Sequence, residues 1–208
     1  MVLSQTWRGS ANQGDELRRV TRELSRIKAI SLEGDHLLVG DGFGSLQRIT
    51  KDGTPLEPPF RLEGGYTDTE GIAISANGDI VSVEDDPERL SWFDTSGALK
   101  SRIDTMDLSP PLTEAQGIAI DPRAGRLLIV DDWEGSNALY EFSPDGALLA
   151  QADLRDYGRD PEGSAIRPGS DQLFIAFDGG AEIITFDYTP TLPTGSAPLP
   201  TGADCMMF

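Results

Sequence analysis

The stretch "YTDTEGIAISANGDIVSVEDD", residues 66–86, places an acidic cluster at each end of two short apolar runs joined by an Asn-Gly turn. Gly-Ile-Ala-Ile and Ile-Val-Ser-Val are too short for helices and rich in β-branched residues. Asn77-Gly78 suits a two-residue hairpin turn. The stretch therefore reads as a β-hairpin whose two ends both carry carboxylates.

The same unit recurs along the chain. "SRIKAISLEGDHLLVGD" (25–41), "TEGIAISANGDIVSVED" (69–85), "AQGIAIDPRAGRLLIVDD" (115–132) and "PEGSAIRPGSDQLFIAFD" (161–178) align on Ala29, Ala73, Ala119 and Ala165, in steps of 44, 46 and 46 residues. Each copy continues into a second pair of extended segments, as in "RLSWFDTSGALKSRI" and "ALYEFSPDGALLAQADL". The triplets "KDG", "TSG" and "PDG" supply tight turns there. Each unit is thus four short strands, A to D, with no amphipathic helix. A four-stranded unit repeating every ~40–50 residues predicts an all-β fold, a β-propeller with one blade per unit.

Residues 25–190 hold the repeats, preceded by an arm (1–24) and followed by a Pro-rich tail (191–208). In the fourth unit "TFDYTPTLPTGSAPLP" replaces the turn triplet, so its outermost strand is in question. Residues 16–24, "ELRRVTREL", could supply that strand and close a four-bladed ring. The alternative is an incomplete ring that needs missing sequence or a partner chain, such as a second copy.

Composition narrows the partners. The chain has 17 Lys+Arg against 35 Asp+Glu, a formal net charge of −18. Such a field repels nucleic acid and anionic membranes and attracts cations. No apolar run approaches the ~18 residues of a membrane span, and "MVLSQTWRGSANQGDELRR" (1–19) lacks an apolar signal region, so a soluble chain is expected. Cys205 is the sole cysteine and His36 the sole histidine. A disulfide, a His-ligated zinc site and a Ser-His-Asp triad are all disfavoured. "GDGFGS" (40–45) has no following helix and does not read as a dinucleotide loop.

In a propeller, the loops entering strand A and leaving strand B open on one face around the axis. Two rings of side chains follow from the alignment. The B-strand ends give Asp41, Asp85, Asp132 and Asp178, which either cap the turn by accepting backbone N–H groups or line a ligand face. The A-strand starts give Arg26, Glu70, Gln116 and Glu162. Glu70, Gln116 and Glu162 offer hard oxygens suited to Ca²⁺. Arg26 offers the other solution, an internal ion pair, because crowded carboxylates need a counter-charge. If a cation sits there, metal-assisted hydrolysis is chemically open, with Glu70, Glu162 or Glu84 as general base. Trp133, in "DDWEGSN", is either core or a rim aromatic that stacks on a ligand.

The segments "DTEGIAI", "GDIVSVEDD", "RLSWFDTSG", "DPEGSAI" and "DQLFIAFDGG" resemble the propeller group that includes NHL-repeat proteins, the SdiA-regulated family and the esterase-like phytase domain. Gluconolactonase-like propellers share much of the pattern. The resemblance spans about residues 25–188. It implies a calcium ion in or near the channel, with Glu70 and Glu162 at the matching positions, and for phytase-like members the hydrolysis of phosphate or carboxylic esters. This chain departs from the pattern in having four units rather than five or six, and in carrying Arg26 and Gln116 where the motif has Glu. Two functions follow: a calcium-binding interaction or ligand-binding module, and a metal-dependent esterase or phosphoesterase.

Overall fold

The computed structural model describes residue 24, residues 26–132 and residues 137–191. Four antiparallel sheets form the four blades of a β-propeller. Blade 1 is β1 (Ile27–Glu33), β2 (His36–Asp41), β3 (Ser45–Thr50) and β4 (Phe60–Arg61). Blade 2 is β5 (Thr69–Ile74), β6 (Ile80–Glu84), β7 (Arg89–Phe93) and β8 (Leu99–Asp104). Blade 3 is β9 (Ala115–Ile120), β10 (Leu127–Asp131), β11 (Ala138–Phe142) and β12 (Leu148–Asp153). Blade 4 is β13 (Pro161–Ile166), β14 (Gln172–Phe177) and β15 (Glu182–Asp187), and among the described residues it has no fourth strand. In each blade the chain runs outward from the first strand to the last.

Local chemistry fixes the hairpins. In the β7–β8 turn the Asp94 carboxylate accepts from the N–H groups of Ser96 (2.8 Å) and Ala98 (3.0 Å), while Gly97 takes a φ of 89° that a side chain would oppose. The matching glycines of blades 1 and 3, Gly53 and Gly146, adopt the same left-handed region.

Packing is face to face between successive sheets. The second strands β6 and β10 are buried on both faces, which is why they read as near-continuous apolar runs rather than alternating ones. Ala29, Leu38 and Leu46 of blade 1 meet Ile72, Ile80 and Phe93 of blade 2. Val83, Leu90 and Trp92 of blade 2 meet Ile118, Ile129 and Tyr140 of blade 3. Leu128 and Val130 of blade 3 meet Leu173, Ile175 and Phe177 of blade 4. Each such aliphatic side chain contributes roughly 1.5–3 kcal/mol by leaving water.

Glycine lets the innermost strands approach. A methyl group at Gly71 would stand 2.7 Å from the Gln116 carbonyl oxygen, and one at Gly117 would stand 2.7 Å from the Gly163 Cα. The innermost strands pack in the series β1, β5, β9, β13, and among the described elements no comparable packing joins β13 back to β1.

Candidate functional site at the acidic mouth

The site is built on a repeated irregularity. The pairing of first and second strands shifts register between Ile27 and Ala29, between Thr69 and Gly71, opposite Val130 in blade 3, and between Pro161 and Gly163. The extra residue in each is Lys28, Glu70, Gln116 and Glu162. A bulge re-aims the side chain it carries, so these four share one structural role. Just before each bulge a carbonyl accepts from the residue that leaves the second strand. Gly42 bonds to Arg26, Asp85 to Asp68, Asp132 to Glu114 and Asp178 to Asp160, at 2.8–3.3 Å.

Three equivalent positions per blade therefore surround one end of the molecule. Blade 1 contributes Arg26, Lys28 and Gly42. Blade 2 contributes Asp68, Glu70 and Asp85, blade 3 Glu114, Gln116 and Asp132, and blade 4 Asp160, Glu162 and Asp178. Alignment on the shared alanines sets Arg26 beside Glu70, but strand pairing sets Lys28 there. Ala29 opposes Gly40 as Gly71 opposes Val83, so Ala29 answers to Gly71 and not to Ala73. The hairpin between β1 and β2 is shorter, and sequence similarity alone absorbs the difference in the wrong place.

Lys28 is the cation among these acids. Its Nζ donates to Asp68 Oδ1 at 2.6 Å and closely to Glu70 Oε1. Burial works against the lysine's charge, but the bonds to Asp68 and Glu70 outweigh it and its pKa rises. Gly42 makes room for it, since a methyl group there would stand 3.1 Å from Lys28 Cδ. Arg26 lies elsewhere, its guanidinium 5.7 Å from the centre of the Phe43 ring.

Across blades 2 to 4 the acids crowd. Burial, then the charges of Asp68 and Glu70, push Asp85 up to about 6. Glu114 is pushed up to about 7 by burial and by Asp132 and Asp85, and it shares a hydrogen bond with Asp132. Asp132 is itself raised, by burial and Asp160. Glu162 is raised by burial, Asp132, Asp178 and Glu70. Burial also raises Glu70, with Lys28 opposing. Carboxylates from three blades thus feel one another, and Glu114, Asp132 and Glu162 are all held above the ordinary carboxylate range.

The remaining sequence candidates divide. Glu84 belongs beneath the mouth: it is fully buried, and its Oε1 accepts from the Thr67 N–H at 2.9 Å, tying down the loop that presents Asp68. Asp131 does the same for Glu114, accepting its N–H at 2.9 Å. Asp41 is the blade 1 counterpart of these two. It is buried and caps the turn through the N–H groups of Phe43 and Ser45, both 2.9 Å. Asp85, Asp132 and Asp178 lie one residue further on, at the mouth. Trp133 falls outside the described residues. His36 stands exposed at the start of β2, in the hairpin joining it to β1. Sequence reasoning passed over Glu114. The signal was present, since an acid stands two residues before each bulge in "DTEG", "EAQG" and "DPEG".

Calcium was the cofactor expected from the sequence. Carboxylates at raised pKa and the Gln116 amide fit it by donor chemistry. Among the described residues no group of three or more His, Cys, Asp or Glu side chains is arranged to hold a metal ion. A cavity of about 330 Å³ lies away from the mouth, between blades 3 and 4, lined by Leu139, Leu154, Tyr157, Ile175 and Phe186. Its polar groups satisfy each other, the Tyr188 hydroxyl donating to Glu141 at 3.0 Å. No helix among the described residues is long and apolar enough to cross a membrane.

No protein-family model matches the chain, and no curated protein matches it. Solved β-propellers do match in structure. A gluconolactonase from Xanthomonas campestris superposes with a TM-score of 0.63 at 20% identity, covering 81% of this chain and 60% of that one. A catalytically inactive virginiamycin B lyase from Staphylococcus aureus, with quinupristin, gives 0.59 at 17% identity over 83% of this chain and 59% of its own. The glutaminyl cyclase of Myxococcus xanthus gives 0.60 at 18%, covering 76% of this chain and 71% of that one. At such identities the likeness is one of fold. The chain spans about 60% of the length of the first two.

Proposed function

We propose that the acidic mouth binds a cation, and that the chain is a ligand-binding propeller module. The observation that carries this reading is the convergence of Asp85, Glu114, Asp132 and Glu162 from three blades, with pKa values raised by burial and by one another. Gathering like charges costs stability unless something positive sits among them, and the ion pairs seen at the mouth among the described residues join Lys28 of blade 1 to Asp68 and Glu70. Asp85, Glu114 and Asp132 are not arranged as a ready-made metal site; a cation such as calcium would sit in their shared field, with the Gln116 amide and Glu162 beside it. Glu70 is engaged by Lys28. Calcium would neutralise the mouth and offer a Lewis acid to an anionic ligand. Within the propellers, the Asp-x-Glu-Gly form of blades 2 and 4 supports placement near the NHL-type and SdiA-regulated group.

Calorimetric titration with Ca²⁺, Mg²⁺ and a simple diamine at pH 7.5, followed by thermal melting, tests the reading. Saturable binding with a rise in Tm, weakened at least tenfold in Glu114→Gln, is expected. No heat and no shift with any of the three would refute it.

A second reading, hydrolysis, is favoured by one feature. Glu114 is pushed up to about 7, where a group both gives and takes protons efficiently. Glu114 would then serve as acid or base for an ester or lactone bound at the mouth, the chemistry for which Glu70, Glu162 and Glu84 were the sequence candidates. Turnover of lactone, ester or phosphoester substrates, lost in Glu114→Gln, is its expected result. Cation binding without turnover leaves the module reading alone.

A further inference from the structure

We infer that the junction between blades 1 and 2 holds an internal water beneath the mouth, bound by Glu84, Thr69 and Ser82, which steadies the loop that presents Asp68. Strand pairing sets these three side chains on one face of blade 2. Thr69 stands opposite Glu84, and Ser82 lies two residues before Glu84 on β6. Ile80 and Phe93, further along the same face, pack against blade 1, so this face looks into the junction. All three residues are 0% exposed. Glu84 Oε2, Thr69 Oγ1 and Ser82 Oγ have no hydrogen-bond partner among the described residues. One enclosed oxygen without a partner is costly, and three on one face point to a shared guest.

The junction between blades 2 and 3 shows the apolar solution to the same geometry. By strand pairing, Ala115 and Ile129 stand there where blade 2 has Thr69 and Ser82, and Tyr140 stands where blade 2 has Ser91. Ile129 and Tyr140 are buried, and the Tyr140 hydroxyl donates to the Pro111 carbonyl at 2.6 Å. Two serines thus give up the volume that an isoleucine and a tyrosine fill in the next blade. Tyr66 and Arg102 take part of it, Arg102 Nη2 donating to the Tyr66 hydroxyl at 2.9 Å and Nε to Ser91 Oγ at 3.4 Å.

Charge selects the guest. Glu84 already lies in the fields of Arg89 and Arg102. A cation would meet those two bases, and an anion would meet Glu84 and the acids of the mouth above it. Water is neutral and carries two donors and two acceptors. It can donate to Glu84 Oε2 while accepting from the Thr69 or Ser82 hydroxyl. The other carboxylate oxygen of Glu84 accepts from the Thr67 N–H at 2.9 Å. The water therefore acts on the mouth through Glu84, a positioning residue that holds the loop carrying Asp68, the partner of Lys28.

Oxygen-17 magnetic relaxation dispersion of the full chain, which counts long-lived internal waters, tests the inference. The count should fall in Ser82→Val, which fills the site as Ile129 does in blade 3, while far-ultraviolet circular dichroism stays native. In the same variant, hydrogen exchange at the Thr67 amide should quicken at least tenfold, and exchange at the Glu114 amide, held by Asp131, should not change. Thr69→Val and Ser82→Ala, milder changes, should be coupled in urea unfolding. The double variant's unfolding constant should depart about threefold or more from the product of the single effects, because both report on one guest. An unchanged water count in a natively folded Ser82→Val overturns the inference. So does strict additivity, Thr67 exchange that is indifferent to Ser82→Val, or a sodium-dependent Tm that vanishes in that variant, which would make the guest a cation. None of these readouts needs a cation at the mouth, so the two proposals fail separately.

Discussion

Blade 1 and blade 3 hold equivalent positions at the mouth, yet one carries Arg26, Lys28 and a glycine and the other Glu114, Gln116 and Asp132. At the blade 1–2 junction a base meets acids and the carboxylates are neutralised within the chain. At the blade 3–4 junction acids meet acids, and Glu114, Asp132 and Glu162 are all pushed above the ordinary carboxylate range, Glu114 to about 7. The same backbone device thus ends in two electrostatic outcomes. Blade geometry sets where a side chain points, and residue identity sets whether the charges at that place are met within the chain.

The two junctions also differ in how close their innermost strands come. Blade 1 carries Ala29 where blades 2 and 3 carry Gly71 and Gly117. A methyl group is therefore accommodated at one junction and excluded at the next, where backbone atoms wait 2.7 Å away. The largest effect expected is for Gly117→Val. Overpacking against the Glu162 carbonyl and the Gly163 Cα should cost on the order of 3 kcal/mol in urea unfolding. Gly163→Ala, which would meet only the Ala176 side chain at 3.8 Å, should cost less than about 0.5 kcal/mol. Equal costs would mean that the two positions are equally enclosed.

Next in size, Lys28→Met makes the blade 1–2 junction resemble the blade 3–4 junction. Asp68 and Glu70 lose their counter-charge while partly buried, and a loss of about 1–2 kcal/mol at pH 7 is expected from the same unfolding measurement. The reverse exchange, Gln116→Lys, puts a base at the bulge of blade 3. It should add about 0.5 kcal/mol and lower the pKa of Glu114, read by carboxyl-selective NMR. A gain without that pKa change would put the new lysine elsewhere.

The remaining expected effect is in the pH profile. Glu114 titrates near 4.5 when unfolded and at about 7 when folded, and Asp85 moves from 3.8 to about 6. The folded chain therefore binds these protons more tightly than the unfolded chain. Their contribution is complete below about pH 4 and is lost as the pH rises through 6 and 7. The Tm should fall between pH 5 and pH 8. The fall should be shallower in Glu114→Gln, and smaller again with a bound divalent cation. A profile that rises over that interval would remove the picture of crowded acids.

Much of the architecture could be read locally. Hairpin turns such as Asp94–Gly97 and short β-branched runs are written in neighbouring residues, and repetition told how the hairpins combine. Trp92 packs between blades 2 and 3. The mouth was legible as a region, because acids flank every first strand, but its membership was not. Arg26 and Glu70 share a distance from an alanine yet not a place in the sheet. Glu84 reads as a rim acid but turns inward to hold the Thr67 amide. Glu114, the most perturbed of the group, offered no mark stronger than its spacing.

By itself the sequence determined a repeating four-stranded unit, its turns and an excess of acid, since each depends on residues within a few positions of one another. Only the tertiary structure decided that Lys28 and not Arg26 stands with Glu70, that Glu84 turns inward to the Thr67 amide, and that Glu114 lies in the fields of Asp132 and Asp85. Those facts depend on a one-residue bulge whose register is set by pairing with a distant strand, and on the fields of charges brought together from three sheets.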